Sequence, residues 1–176
     1  GPRQAASLVG VAAASGFDVP VIGNNPTFDP ALLQSPAAGA LGNLYVAGSS
    51  APYSSPNPKV QEVTAAYEAA NPDSPRNGGL VVGYVEGLVW QNVLTAACDA
   101  GDLSRAGVKA ALTTLTEVET EGLVDVLDYS SPGSPPTRGV YIAKVDANAE
   151  GGLSEVAPLF TAPEAETYVA PFQNQG

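Results

Sequence analysis

Two short apolar runs, Val19-Pro20-Val21-Ile22-Gly23 and Leu44-Tyr45-Val46-Ala47-Gly48, each following a helical pattern, constrain the fold of this chain more than any other feature. Residues 4–15 are rich in alanine, with Leu8, Val11 and Ala12 at helical spacing, and Gly16 stands where a helix C-cap is expected. The first run is bounded by Asp18 and by Asn24-Asn25-Pro26, the pattern of a buried strand that feeds a loop. Asp29-Pro30 then places an N-cap before a proline at the first position of a short helix over residues 29–33. Helix, strand, helix, strand is the rhythm of an α/β sheet with parallel strands.

The composition changes at residues 49–58, where Ser, Pro, Asn and Tyr dominate and no regular element fits. This segment reads as a linker at a boundary between lobes. Helices are expected over residues 59–70, 80–100 and 104–116, with a Pro/Asn/Gly loop before the second and Gly101 stopping it. Residues 123–127 and 140–145 read as two further β segments around a Pro/Ser/Gly loop. No repeat of a solenoid or propeller is present.

The residue inventory excludes several chemistries. Eighteen acidic against seven basic residues give a net charge of −11, which opposes docking onto DNA, other nucleic acid or anionic lipid. With no His and one Cys, the usual metal and haem ligands, an internal disulfide and Ser/His or Cys/His nucleophile pairs are all missing. No nucleophile elbow or phosphate loop occurs, so neither a cofactor nor enzymatic activity is expected. Cys98, with no basic neighbour in sequence, reads as a small buried hydrophobe. Glu86 interrupts the longest apolar stretch, so no membrane span is expected. Apolar residues make up 44% and charged residues only 14%, which implies that some surface is normally covered. The sequence lacks a signal-peptide pattern at its start and opens inside a helical pattern, with Gly1-Pro2 either native or the remnant of a cleaved tag. A fragment of something larger is the expectation.

Glu86 is the anomaly of the long helix. At 100° per residue Gln91, Asn92, Thr95 and Asp99 share a polar stripe, whereas Glu86 falls opposite, among Val82, Val89, Trp90, Val93 and Ala97. A carboxylate on that side needs a base, a backbone donor or a ligand, and Arg138 is the candidate partner within the chain.

Taken in order, the helix, the Val19-Pro20-Val21-Ile22-Gly23 strand, Phe28-Asp29-Pro30-Ala31-Leu32, the Gly42-x-Leu44-Tyr45-Val46 strand, Gly83-Tyr84-x-Glu86 and the Gly101-Asp102-Leu103-Ser104-Arg105 step resemble a known family. So do Glu121-Gly122 before a β segment and the strand Tyr141-Ile142-Ala143-Lys144-Val145. The pattern is similar to the later half of type I periplasmic solute-binding proteins, relatives of leucine/isoleucine/valine-binding proteins that serve ABC importers.

The resemblance implies an α/β fold of two lobes with a ligand held between them. Residues 1–50 would end the second lobe, 51–125 would return into the first, and 126–176 would cross back. The first lobe's opening strands would come from a missing N-terminal segment, supplied as a second chain or by another copy of this one. The implied function is non-catalytic binding of a small-molecule ligand, a branched-chain amino acid or a related or aromatic solute, for delivery to an ABC permease. The alternative is the ligand-sensing extracellular domain of a receptor. The implied location is extracellular or periplasmic, with lipid anchoring at the cell surface as one form.

Asn25, Thr27, Tyr53 and Tyr84 are the implied ligand-binding residues. Asn25 stands where the family commonly has a carboxylate, and Gly79 where it commonly has an aromatic, and both departures argue against a standard branched-chain amino acid. Glu86 resembles an acid of the family with a structural role.

Overall fold

The computed structural model describes residues 1–171, so the last five residues of the expected 126–176 segment lie outside the described residues. The chain forms α1 (Pro2–Ala14), β1 (Val21–Asn24), β2 (Leu44–Gly48), α2 (Pro58–Ala70), α3 (Gly79–Asp99), α4 (Arg105–Leu112), β3 (Val140–Val145), β4 (Leu153–Phe160) and α5 (Pro163–Thr167). Short 3-10 turns at Asn25–Thr27, Pro30–Gln34 and Ala38–Asn43 join β1 to β2, and another at Glu150–Gly152 joins β3 to β4.

Gly16 ends α1 as expected. At φ 74° it lets Gly16 N donate to Ala13 O at 3.0 Å and Phe17 N to Ala12 O at 2.9 Å, the double bond of a Schellman cap. The helix does not use the face that its sequence suggests. Ala6 and Val9 are buried, while Leu8 and Val11 are more than 60% exposed.

The four strands lie in the order β1-β2-β3-β4. Strands β1 and β2 are parallel, in the register Val21↔Leu44, as the alternating pattern requires. The pairings β2–β3 and β3–β4 are antiparallel, so the sheet is mixed and only its opening half follows the expected parallel rule. Strand β1 is an edge rather than a buried strand, and Ile22 is 67% exposed. Strand β4 is absent from the sequence reading because Ser154, Glu155 and Pro158 break its apolar alternation.

Buried side chains gather in three groups. Ala6, Val9, Leu32, Leu41, Leu44 and Val145 form one beneath α1. Ala51, Val60, Val81, Val85, Val118, Leu123, Val124, Leu127 and Tyr141 form a second, where α2 and α3 meet residues 118–127. Val93, Ala97 and Ala111 lock α3 to α4. Leu41, Leu44, Val60, Val81 and Leu123 are the largest fully buried side chains, each contributing about 1.5–3 kcal/mol.

Of residues 49–58, Pro58 opens α2 and the rest are irregular but packed. Ala51, Tyr53 and Ser55 are buried, Ala51 N donates to Leu123 O at 2.8 Å, Ser54 Oγ donates to Leu153 O, and Ser55 Oγ donates to Glu155 Oε2 at 2.7 Å. Their hydroxyls read as loop markers in sequence, yet here they supply the donors that a buried crossover needs. Residues 123–127 likewise form no strand. Val118 and Leu127 make one isolated antiparallel bridge, and Leu123 and Val124 point into the second group. Helix α4 starts where expected, with Ser104 Oγ accepting from Gly107 N at 3.2 Å, but ends at Leu112 rather than at residue 116.

Helix α3 corrects three expectations. Its 21 residues are long and apolar enough to cross a membrane by length and composition, Glu86 notwithstanding, and it packs here against the second and third buried groups along one side, through Val81, Val85, Val93 and Ala97. Glu86 is exposed rather than buried, and Arg138 does not meet it but donates to Ala165 O. Cys98 is exposed rather than buried. The common reason is that α3 is apolar around most of its circumference while the described residues cover only part of it.

Asn57 caps α2, its Oδ1 accepting from Lys59 N at 2.7 Å and Val60 N at 3.4 Å while its Nδ2 donates to Glu121 O at 3.0 Å. Asn57→Ala is therefore expected to cost about 1–2 kcal/mol in urea unfolding, whereas Gln61→Ala, on the exposed side of the same helix, leaves stability within about 0.5 kcal/mol.

Candidate functional site

The sheet's buried face does two jobs along its length. Leu44 and Val145, near one end, sit under α1, whereas Val46, Gly48, Tyr141 and Ala143, near the other, floor a cleft of about 430 Å³. One wall is the loop after β1, with Asn25, Pro26, Phe28 and Asp29; the other is the start of α3, with Asn77, Gly78, Gly79 and Val82. Ser50, Ala51 and Pro52 of the crossover close one side, with Gly151 and Leu153 of the β3–β4 connection. The cleft thus lies between residues adjoining the first and second buried groups.

Among the residues expected at the site, only Asn25 reaches this cleft. Its amide lies against the end of β2, where a Cβ added to Gly48 would fall 2.3 Å from Asn25 Oδ1, so the glycine makes room for that side chain. Thr27 turns back over β1: its Oγ1 donates to Asn24 Oδ1 at 3.2 Å, and its side chain fills the space beside Gly23. Tyr53 is buried behind the cleft wall, its hydroxyl donating to Glu68 Oε1 at 2.8 Å. Tyr84 is 40% exposed on the flank of α3, with Lys59 Nζ 5.9 Å from its ring centroid, a cation–π contact. The four residues do not converge.

Others do, and the sequence concealed them behind structural roles. Asp29 was legible as an N-cap, and it is one, Oδ1 accepting from Ala31 N at 2.8 Å, yet it also lines the cleft. Asn77 read as part of a loop; its Oδ1 accepts from Gly79 N at 2.9 Å and it lines the cleft together with Asn25. Gly79, noted as a missing aromatic, opens onto the cleft. Asp29 is the charged residue of the lining, and no Lys or Arg belongs to it among the described residues. The lining surface is mostly apolar.

A second concavity, of about 650 Å³, runs between α3 and α4. Val85, Val89, Trp90, Leu94, Leu103 and Leu112 line it, with Glu86, Arg105, Lys109 and Tyr129 also present. Trp90 is 57% and Leu103 62% exposed there. Burial, reinforced by the charge of Glu86, raises the phenol of Tyr129 above its usual range.

The arrangement is a sheet-floored cleft walled by the loop after β1 and by the start of α3. The family model described as periplasmic binding protein matches residues 1–151, and the chain belongs to that family. Its fold is the type I fold of ABC-transporter substrate-binding proteins related to leucine/isoleucine/valine-binding proteins. A fatty acid ABC transporter substrate-binding protein from Thermomonospora curvata is 34% identical, with a TM-score of 0.89 over 97% of this chain and 44% of that one. A branched chain amino acid ABC transporter from Thermus thermophilus with bound valine is 15% identical, TM-score 0.68, over 92% of this chain and 44% of that one. A substrate-binding periplasmic protein from Ralstonia solanacearum is 24% identical, TM-score 0.63, over 86% and 42%. The chain therefore spans less than half the length of these structures. No curated protein sequence matches it.

Tyr53 generates a prediction about alkaline pH. Burial first, then its hydrogen bond to Glu68, raises its phenol well above the usual value near 10. A raised folded-state pKa means that this contribution is intact below about pH 10 and is lost as pH climbs above it, because the unfolded chain ionises first. Thermal stability is expected to decline through that window. Tyr53→Phe should flatten part of the decline, Tyr129 and Tyr141, also raised by burial, supplying the rest.

Proposed function

We propose that the full-length protein binds, without catalysis, a small solute with an apolar body and a single carboxyl head, and delivers it to the permease of an ABC importer. The observation that carries this is the chemistry of the cleft lining, which is mostly apolar and includes the amides of Asn25 and Asn77. Asn77 Oδ1 accepts from Gly79 N, which leaves its Nδ2 as a donor for an oxygen of the ligand, and Asn25 supplies a second amide. The space at Gly79 suits an extended chain rather than a compact side chain. The fatty acid named for the Thermomonospora curvata relative supports an acyl ligand.

A branched-chain amino acid remains the competing ligand, on one observation: Asp29 in the lining is an anion that an ammonium would meet. Asp29 already commits Oδ1 to Ala31 N, and Asn25 brings no second charge, so the ammonium would be paired only in part. The other proposed residues are placed as follows: Thr27 braces the Asn25 loop, Tyr53 backs the wall, and Tyr84 stays outside the cleft. A thermal-shift series on the full-length protein separates the ligands. Dodecanoate is expected to raise the melting temperature, with about 2.7 kcal/mol of added stability at a hundredfold excess over Kd, and valine to raise it little. Valine alone giving the shift would reverse the assignment, and neither doing so would remove the solute-binding reading. Asn25→Asp should weaken dodecanoate tenfold or more by setting two carboxylates face to face.

In the same reading, residues 1–50 and 126–171 belong to one lobe and residues 51–125 to the other, and the protein works outside the cytoplasm, as members of its family do. The α3–α4 groove seats the remainder of the first lobe, because a helix apolar on most sides is stable only when covered. Chain 1–176 by itself is then expected to bind a hydrophobic dye strongly, and Trp90→Glu to cut that binding severalfold. Equal dye binding in the two would locate the exposed apolar surface elsewhere.

A further inference from the structure

Arg76 and Glu150 stand directly before two residues of the cleft lining, Asn77 at the start of α3 and Gly151 in the β3–β4 connection, and these two segments adjoin at the edge of the cleft. Arg76 NH1 donates to Glu150 Oε1 at 2.8 Å, and Arg76 NH2 to Glu68 Oε2 at 3.1 Å. The other oxygen of Glu68 takes the hydroxyl of Tyr53. A chain of four side chains thus runs from the crossover loop through α2 to the loop before α3, and then over to the β3–β4 turn. Its final link joins the loop before α3 to the β3–β4 turn.

The backbones there are in contact as well. Gly151 has φ 73°, and a Cβ on it would fall 2.7 Å from Tyr53 Cβ and 3.7 Å from Arg76 O. The turn is therefore seated against the Tyr53–Arg76 corner in the state described, and a movement that draws the β3–β4 turn away from α3 unseats it and stretches the ion pair.

We propose that Arg76 and Glu150 form an electrostatic clasp at the edge of the cleft that favours its closed state. The idea rests on the solute-binding reading for its purpose, though not for its geometry. Tyr53 and Glu68 are positioning residues: by fixing the guanidinium on the α2 side, they reduce the entropy lost when Glu150 docks. An interaction present in one conformation and absent in the other shifts the population by its full strength, whatever binds in the cleft. Both partners are partly exposed, with side chains 44% and 58% accessible, so the clasp is salt-sensitive and modest, worth about a two- to fivefold change in the closed-to-open ratio.

The test reads the distance between the walls. Spin labels at Gln61→Cys on α2 and Ala147→Cys in the β3–β4 turn, with Cys98→Ser removing the exposed native thiol, report it by pulsed electron resonance in the full-length protein. Glu150→Gln is expected to shift about two- to fivefold more of the population to longer distances, Glu150→Arg to shift more, and high salt to move the wild type the same way. Glu62→Gln breaks another exposed ion pair, to Lys59, away from the cleft and should change nothing. Wild-type distances in both Glu150 variants would overturn the clasp, even in a protein that binds dodecanoate. A shift in both supports it, even in a protein that binds neither dodecanoate nor valine.

Discussion

The fold hangs on one requirement, that the irregular segments packed among the buried groups satisfy their own backbone. The crossover at residues 49–57 meets it through Ala51 N to Leu123 O and through Ser54 and Ser55 to β4. Residues 118–125 meet it through Thr120, whose hydroxyl donates to Val124 O and whose Oγ1 accepts from Val124 N at 3.2 Å, and through Gly122 O, which accepts from the hydroxyl of Tyr141. Strand β3 carries that tyrosine and so ties the sheet to the second group. Burial of unmade backbone bonds here would cost about 1–3 kcal/mol each, which is why Ser, Thr and Asn cluster where the chain crosses. Glu121 and Gly122, at φ 54° and 78°, mark the sharpest point of that path.

The cleft follows from these crossings. Because the sheet's buried face is covered by α1 only near Leu44 and Val145, its other end, at Val46, Gly48, Tyr141 and Ala143, is left as a floor. Glycine at 48 lets the Asn25 loop fold down over that floor, and glycine at 79 keeps the opposing wall shallow. The two walls adjoin different buried groups, the β1 loop through Phe28 and the start of α3 through Val81 and Val85.

Much of this was legible in residues. The α1 stop at Gly16, the β2 and β3 boundaries, the start of α4 at Ser104 and the order of motifs that pointed to the family all follow from local rules that the tertiary structure respects. The errors share a cause. Burial of Glu86 and Cys98, and of the Leu8–Val11 face, was inferred from apolar surroundings on one helix, which fixes which faces are apolar but not what covers them. Residues 49–58 misled in the opposite direction, since polar side chains that bond backbone inside the protein look in sequence like those that bond water. The site was the least legible part, because Asp29 and Asn77 each carry a local turn bond that fully accounts for their presence.

That double employment has a physical consequence for recognition. An Asn whose Oδ1 is held by a backbone N–H presents its Nδ2 in a fixed direction, so a ligand oxygen need not pay for ordering the side chain. Asn77 is such an amide, its Oδ1 accepting from Gly79 N. In the reading proposed above, the shape of the ligand's body beyond its head group is read by an apolar floor bounded by glycines at 48, 79 and 151. Selectivity in that reading is carried by the side chains that glycines leave out as much as by those that line the cleft.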